Sequence, residues 1–173
     1  MLAAVLLAAG VRGQTCERYT DGTWGPSVRC GDGDLPAVPT GAQWGGFPVS
    51  EITGGLDLHG EDIAEVPDLG FDACPYTAAT VLYLTNNEIT VVGRRAFANL
   101  AELKHLYLGG NRITAMAAEA LAGLTRLEVL YMYQNRIGEF DYGSLAPMAA
   151  LGVLWLNNQE GGDLRCGGEN QWG

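Results

Sequence analysis

The sequence predicts a solenoid in which one short strand is repeated and stacked on copies of itself. Three observations carry that expectation. Asn87, Asn111 and Asn135 recur every 24 residues, and Gln159 falls on the next beat. Apolar residues keep phase with them. Just before each beat the chain alternates leucine with an aromatic, in "VLYLTNNEI" (81–89), "HLYLGGNRI" (105–113), "VLYMYQNRI" (129–137) and "VLWLNNQEG" (153–161). A unit with a single short strand cannot bury its apolar face alone, so the copies must stack.

The copies justify themselves one by one. The third reads Leu103, Leu106, Leu108, Asn111, Ile113, and the fourth Leu127, Leu130, Met132, Asn135, Ile137. The second has Ala79, Leu82, Leu84, Asn87, Ile89. A weaker first copy has Leu56, Leu58 and Ile63, with Glu61 in the asparagine place. In the fifth, Leu151, Leu154 and Leu156 precede Gln159, and Gly161 stands where an isoleucine is needed, so it reads as the last strand. Numbered within the repeat, position 14 holds Val66, Val92, Met116 and Phe140. Position 19 holds Phe71, Phe97, Leu121 and Leu145, and position 22 holds Cys74, Leu100, Leu124 and Met148. The leucines at positions 4 and 6 point inward by the period-2 rule. The asparagine at position 9 follows the strand, where its amide can satisfy backbone groups that no regular ladder reaches.

The pattern LxxLxLxxNxI at this interval resembles the leucine-rich repeat family, in its 24-residue extracellular type, over residues 53–161. The resemblance implies an α/β solenoid with a short parallel β-sheet on its concave face and a mostly irregular or short helical convex side. It assigns residues 53–156 to the repeats, 14–52 to an N-terminal cap and 157–173 to a C-terminal flank. The segment "VRCGDGDLPAVP" (28–39) resembles the end of the family's cysteine-containing N-terminal cap, which implies a Cys16–Cys30 disulfide. That cap usually carries four cysteines, and this one carries two. Four cysteines allow three pairings, among which sequence alone does not choose. Cys74 falls in the position-22 core column and reads as a buried thiol. Cys166 resembles the opening of a C-terminal cysteine cap whose other cysteines are missing, so the flank reads as a truncated cap or Cys166 as a free thiol.

Ahead of the cap, an apolar run covers Leu2 to Ala9, and Val11 and Gly13 sit like the −3 and −1 positions of a cleavage site before Gln14. Residues 1–13 therefore read as a signal peptide, the alternatives being a misassigned start or a short core segment. A signal peptide makes the protein secreted or extracellular, where disulfides persist. The run is too short to span a bilayer, and no other apolar run approaches the ~18 residues required. No Asn-x-Ser/Thr sequence occurs.

The chain has 20 Asp and Glu against 10 Lys and Arg. Residues 14–78 hold 11 acidic and 2 basic residues, whereas 79–156 hold 6 of each. The acidic balance argues against a nucleic-acid partner, which binds through cations that neutralise phosphates. His59 and His105 fall in different columns without cysteine or carboxylate at metal-ligand spacing, so no metal site is expected. "GDGD" (31–34) lacks the glutamate of a calcium loop and reads as a turn. Position 10 holds Asp62, Glu88, Arg112, Arg136 and Glu160, a solvated rim. Catalytic and phosphate-binding motifs are absent, so neither catalysis nor a cofactor is expected.

The outward strand positions are what remains. Position 5 holds Asp57, Tyr83, Tyr107, Tyr131 and Trp155, position 3 includes His105 and Val81, Val129 and Val153, and position 7 includes Tyr133. Adjacent strands lie ~4.8 Å apart, so the rings form a ladder across the copies. Such a ladder strengthens strand pairing. It also offers large rigid rings of the kind enriched at binding hot spots. The expected function is a non-catalytic module that binds a protein or peptide through Tyr83, His105, Tyr107, Tyr131, Tyr133 and Trp155. The alternatives are the ectodomain of a larger receptor and a carbohydrate binder.

Overall fold

The structure, a computed structural model, describes residues 16–20, 22–31, 37–39, 48, 51–160 and 165–167. The expected signal peptide lies outside the described residues, as do much of the 14–52 cap and all but three residues of the flank after Glu160.

Five one-strand copies stack as the repeat requires. β1 (Cys16–Thr20) and β2 (Pro26–Cys30) form an antiparallel hairpin. β3 (Gly55–Asp57), β5 (Val81–Tyr83), β7 (His105–Tyr107), β9 (Val129–Tyr131) and β11 (Val153–Trp155) follow β2 in parallel. Together they make one seven-stranded sheet in the order β1-β2-β3-β5-β7-β9-β11. The register keeps every 24-residue column in line, with Leu82 opposite Leu106, Leu106 opposite Leu130, and Leu130 opposite Leu154.

Leu56, Leu82, Leu106 and Leu130, with Leu58, Leu84, Leu108 and Met132, are wholly buried in a continuous core. Position-14 and position-22 residues close that core from the opposite side, and Cys74 takes its place among them. Burial pushes the Cys74 thiol up to about 12, partly offset by a backbone hydrogen bond at Tyr76. In the last copy Leu151, Leu154 and Leu156 are only partly buried and pack against the core's end.

The turn after each strand explains the asparagine. The residue before it has positive φ in every copy: Gly60 at 71°, Asn86 at 57°, Gly110 at 68°, Gln134 at 51° and Asn158 at 57°. Gly, Asn and short polar residues tolerate this left-handed conformation best. It turns the asparagine amide into the core. Asn111 Nδ2 donates to Leu108 O (2.9 Å) and to Leu84 O of the preceding coil (2.8 Å), and its Oδ1 accepts from Ile89 N (3.2 Å). Asn87 and Asn135 repeat the pattern, and Gln159 reproduces it with Met132 O, Leu156 O and Ile137 N. Each amide ties its own coil to the one before.

The convex side is mostly irregular, as expected. Among the described residues it contains no α-helix, but turns, short strands and one 3-10 helix (Tyr142–Leu145). The apolar residues at positions 19 and 22 are three apart, so each pair closes a single i→i+3 turn. Cys74 N donates to Phe71 O, Leu100 N to Phe97 O, Leu124 N to Leu121 O and Met148 N to Leu145 O. A second parallel sheet, β4 (Glu65–Val66), β6 (Val91–Val92) and β8 (Ala115–Met116), lines the return path. β10 (Glu139–Asp141) pairs separately with β12 (Arg165–Gly167).

The hairpin is fastened to the first coil. Cys16 and Cys30 form the expected disulfide. The buried Ser27 hydroxyl accepts from Gly55 N (2.7 Å) and donates to Gly25 O (3.0 Å), and Gly54 N donates to Pro26 O (2.9 Å). A Cβ at Gly54 would lie 2.8 Å from the carbonyl oxygens of both Trp24 and Gly25, so this close approach requires glycine.

Candidate functional site: the concave face

One register column crosses the whole sheet: Glu17, Arg29, Asp57, Tyr83, Tyr107, Tyr131, Trp155. Its first three members are charged and its last four are rings. Outward alternation along each strand places them all on one surface.

The rings touch in succession. Tyr83 and Tyr107 stack with centroids 4.9 Å apart and planes 6° from parallel. Tyr107 meets Tyr131 edge-on at 5.1 Å and 73°, and Tyr131 stacks on Trp155 at 4.5 Å and 15°. Offset-stacked and edge-to-face contacts are the favoured arrangements of aromatic quadrupoles. Burial, and then the neighbouring Tyr83 and Tyr131, push the Tyr107 hydroxyl above its usual range. Trp155 ends the column with 51% of its surface exposed.

Tyr133, two residues on from Tyr131, widens the strip and meets it at 6.4 Å. Its ring leans back over Gly109 of the preceding coil, where an added Cβ would lie 2.4 Å from Cε1. His105 stands beside the column, 6.2 Å from Tyr107. Its imidazole pKa is lowered by burial, which outweighs the raising effect of Glu128; Lys104 lowers it further. All six residues expected on the concave face thus share one surface. Of the flanking valines, Val81 is buried, while Val129 and Val153 are half-buried like the tyrosines and His105.

Trp24 was not anticipated. It lies in the turn between β1 and β2, and its ring reaches His105 at 4.5 Å. The hairpin therefore contributes a ring to the concave face. Trp24 stands outside the 24-residue period, and the only local signal was a tryptophan in a Gly-bounded turn, "GTWG" (22–25).

The charged end is internally paired. Arg29 Nε donates to Asp57 Oδ2 (2.7 Å), and its guanidinium lies 4.8 Å from the Tyr19 ring centre. The hydrogen bond to Asp57 is the largest cause holding Arg29 firmly charged. Asp57 Oδ1 accepts from His59 N (3.1 Å), and His59 Nδ1 shares a 2.6 Å contact with Thr85 Oγ1. Among the described residues no group of three or more His, Cys, Asp or Glu is placed to hold a metal, and no helix is long and apolar enough to cross a membrane.

Stacked coils, each with one concave strand and with asparagine at the turns of the middle three, define a class, and comparison with known proteins agrees with it. The leucine rich repeat family model matches residues 77–137 and 102–158. The repeat region of this chain belongs to the leucine-rich repeat family. No curated protein sequence is significantly similar to the chain. Among solved structures, TLR13 in its complex with ssRNA13 is 21% identical over 72% of this chain and 18% of its own, with a TM-score of 0.60. An internalin (inlF) of Listeria monocytogenes is 27% identical over 64% of this chain and 28% of its own, with a TM-score of 0.48. The chain therefore spans less than a third of the length of either.

Proposed function

We propose that this chain is a non-catalytic, secreted or extracellular binding module that recognises a protein or peptide through its concave aromatic face. The observation that carries the reading is the unbroken run of rings from Tyr83 to Trp155, widened by Tyr133 and His105. An aromatic side chain can bury ~150–250 Å² in all with little rotamer entropy to lose, and here neighbouring rings already cover part of that. Contiguous apolar patches that reach solvent mark interaction sites. Of these residues Trp155 is exposed, and Tyr83, His105, Tyr107, Tyr131 and Tyr133 are half-buried. A net charge of −10 favours a protein partner over a polyanion such as nucleic acid.

The test is selection of a random 12-residue peptide display library on the immobilised protein, repeated on folded Tyr107→Ala and Trp155→Ala variants. Peptides that bind the parent and lose at least about tenfold in affinity for either variant support the reading. Peptides that bind both variants as tightly as the parent overturn it, as does the absence of any enriched peptide.

A further inference from the structure

Beside the concave face lies a groove of about 590 Å³, lined among others by Gly110, Arg112, Gln134, Arg136 and Asn158. It follows the turns at the ends of β7, β9 and β11. The sequence presents its charged members as a rim, but their order is unusual. Position 10 runs Glu88, Arg112, Arg136, Glu160, so the two arginines are neighbours. They occupy equivalent places in consecutive coils, since Arg112 N donates to Ile89 O and Arg136 N to Ile113 O, each at 2.9 Å. Like charges held at equivalent places in adjacent coils repel one another.

The glutamates do not relieve this from between. Glu88 pairs with Arg112 from the coil before, and Glu160 pairs with Arg136 Nε (3.0 Å) from the coil after. Both glutamates line the same groove, and each comes from a coil outside the two arginines. Both arginine side chains are about half exposed, and exposed ion pairs of this kind contribute little and yield readily. A guanidinium has five N–H donors, of which each glutamate engages few. Among the described residues, the side-chain amides of Gln134 and Asn158 in the groove wall have no hydrogen-bond partner.

We propose that this groove binds one tetrahedral oxyanion, a phosphate or sulfate group, held between Arg112 and Arg136, with Gln134 and Asn158 donating from the wall. Forked guanidinium donors match such a group, and two forks together with the two wall amides supply about six donors, more than the about four lone-pair sites of a carboxylate can accept. The groove carries two positive and two negative side chains, so it holds a single anionic group by local contact and has no extended field for a polyanion. None of the aromatic residues of the concave face lines it.

The test is an NMR titration of the arginine Nε–H resonances of the full chain with inorganic phosphate, inorganic sulfate and acetate, at constant ionic strength. The expected result is a saturable shift of Arg112 and Arg136 with phosphate or sulfate, weaker by about tenfold with acetate. Arg136→Gln should weaken saturation about tenfold, and Glu160→Gln should tighten it by freeing Nε. The double variant Arg112→Gln/Glu88→Gln keeps a neutral pair in place of the charged one and should lose binding while melting like the parent. A linear, unsaturable shift overturns the proposal, as does saturation unchanged in Arg136→Gln. Equal binding of acetate overturns the tetrahedral assignment. None of these outcomes depends on Tyr107 or Trp155, so this site and the concave-face reading fail separately.

Discussion

Tyr133 rests its ring on Gly109 of the neighbouring coil, in space that a single methyl group would occupy. Gly109 has no positive φ to preserve, so alanine fits its backbone and conflicts only with the far edge of the ring. Gly109→Ala should therefore fold, with stability within about 1 kcal/mol of the parent, while displacing Tyr133. The ring's NOE contacts to residue 109 should vanish. An unmoved ring, or a loss of stability well beyond that figure, would show that the glycine serves the backbone instead.

The asparagine ladder predicts a gradient of damage. Asn111→Ala leaves Leu84 O, Leu108 O and Ile89 N without their side-chain partner in the core, and stranded buried groups of this kind are expensive. We expect about 3 kcal/mol of destabilisation by urea unfolding. Gln159→Ala makes the same deletion where the amide is only partly buried, so water replaces it and about 1 kcal/mol is expected. Equal losses at both sites would contradict the ladder as the source.

Cys74 gives a pH signature. Its folded-state pKa is raised from 9.0 to about 12 by burial. A raised pKa means that the unfolded chain releases this proton first. The stabilisation is complete below pH 9 and is lost progressively as pH rises toward 12. Unfolding free energies measured across that range should fall more steeply for the parent than for Cys74→Ala. Identical slopes would place the thiol in contact with water. At neutral pH the thiol should also resist iodoacetamide until the protein is denatured.

The hairpin cap depends on its staple. Cys16 and Cys30 close a loop with a sequence separation of 14, for which chain-entropy arguments give about 3 kcal/mol. Cys16→Ala/Cys30→Ala should lower the melting temperature and loosen Trp24 from His105. The second effect reads out as a change in tryptophan emission that a Trp24→Phe background abolishes. Unchanged emission would mean that Ser27 and Gly54 seat the hairpin by themselves.

The repeat was legible because stacking forces chemistry into phase. Leu82, Leu106 and Leu130 share a column because each must meet the same core, and Asn87, Asn111 and Asn135 share one because each turn strands the same backbone groups. What stood outside the period stayed hidden. Trp24 belongs to a hairpin whose placement is decided by Ser27 and Gly54, not by spacing. The salt bridge of Arg29 with Asp57 joins residues from a cap strand and a repeat strand, and only the β2–β3 pairing brings them together. The short convex strands β4, β6 and β8 carry two residues each, too few for any alternation to register. The placement of Arg112 beside Arg136 was visible as letters, but its meaning depended on which side each glutamate stood.

The column from Glu17 to Trp155 is not the same read from its two ends. Its first three strands present two carboxylates and a guanidinium, and its last four present only rings. The sheet therefore has a polarity of its own, at right angles to the polarity of its strands. Any chain laid across it has two orientations of unequal energy, and swapping them sets its oily end against ions and its polar end against aromatics.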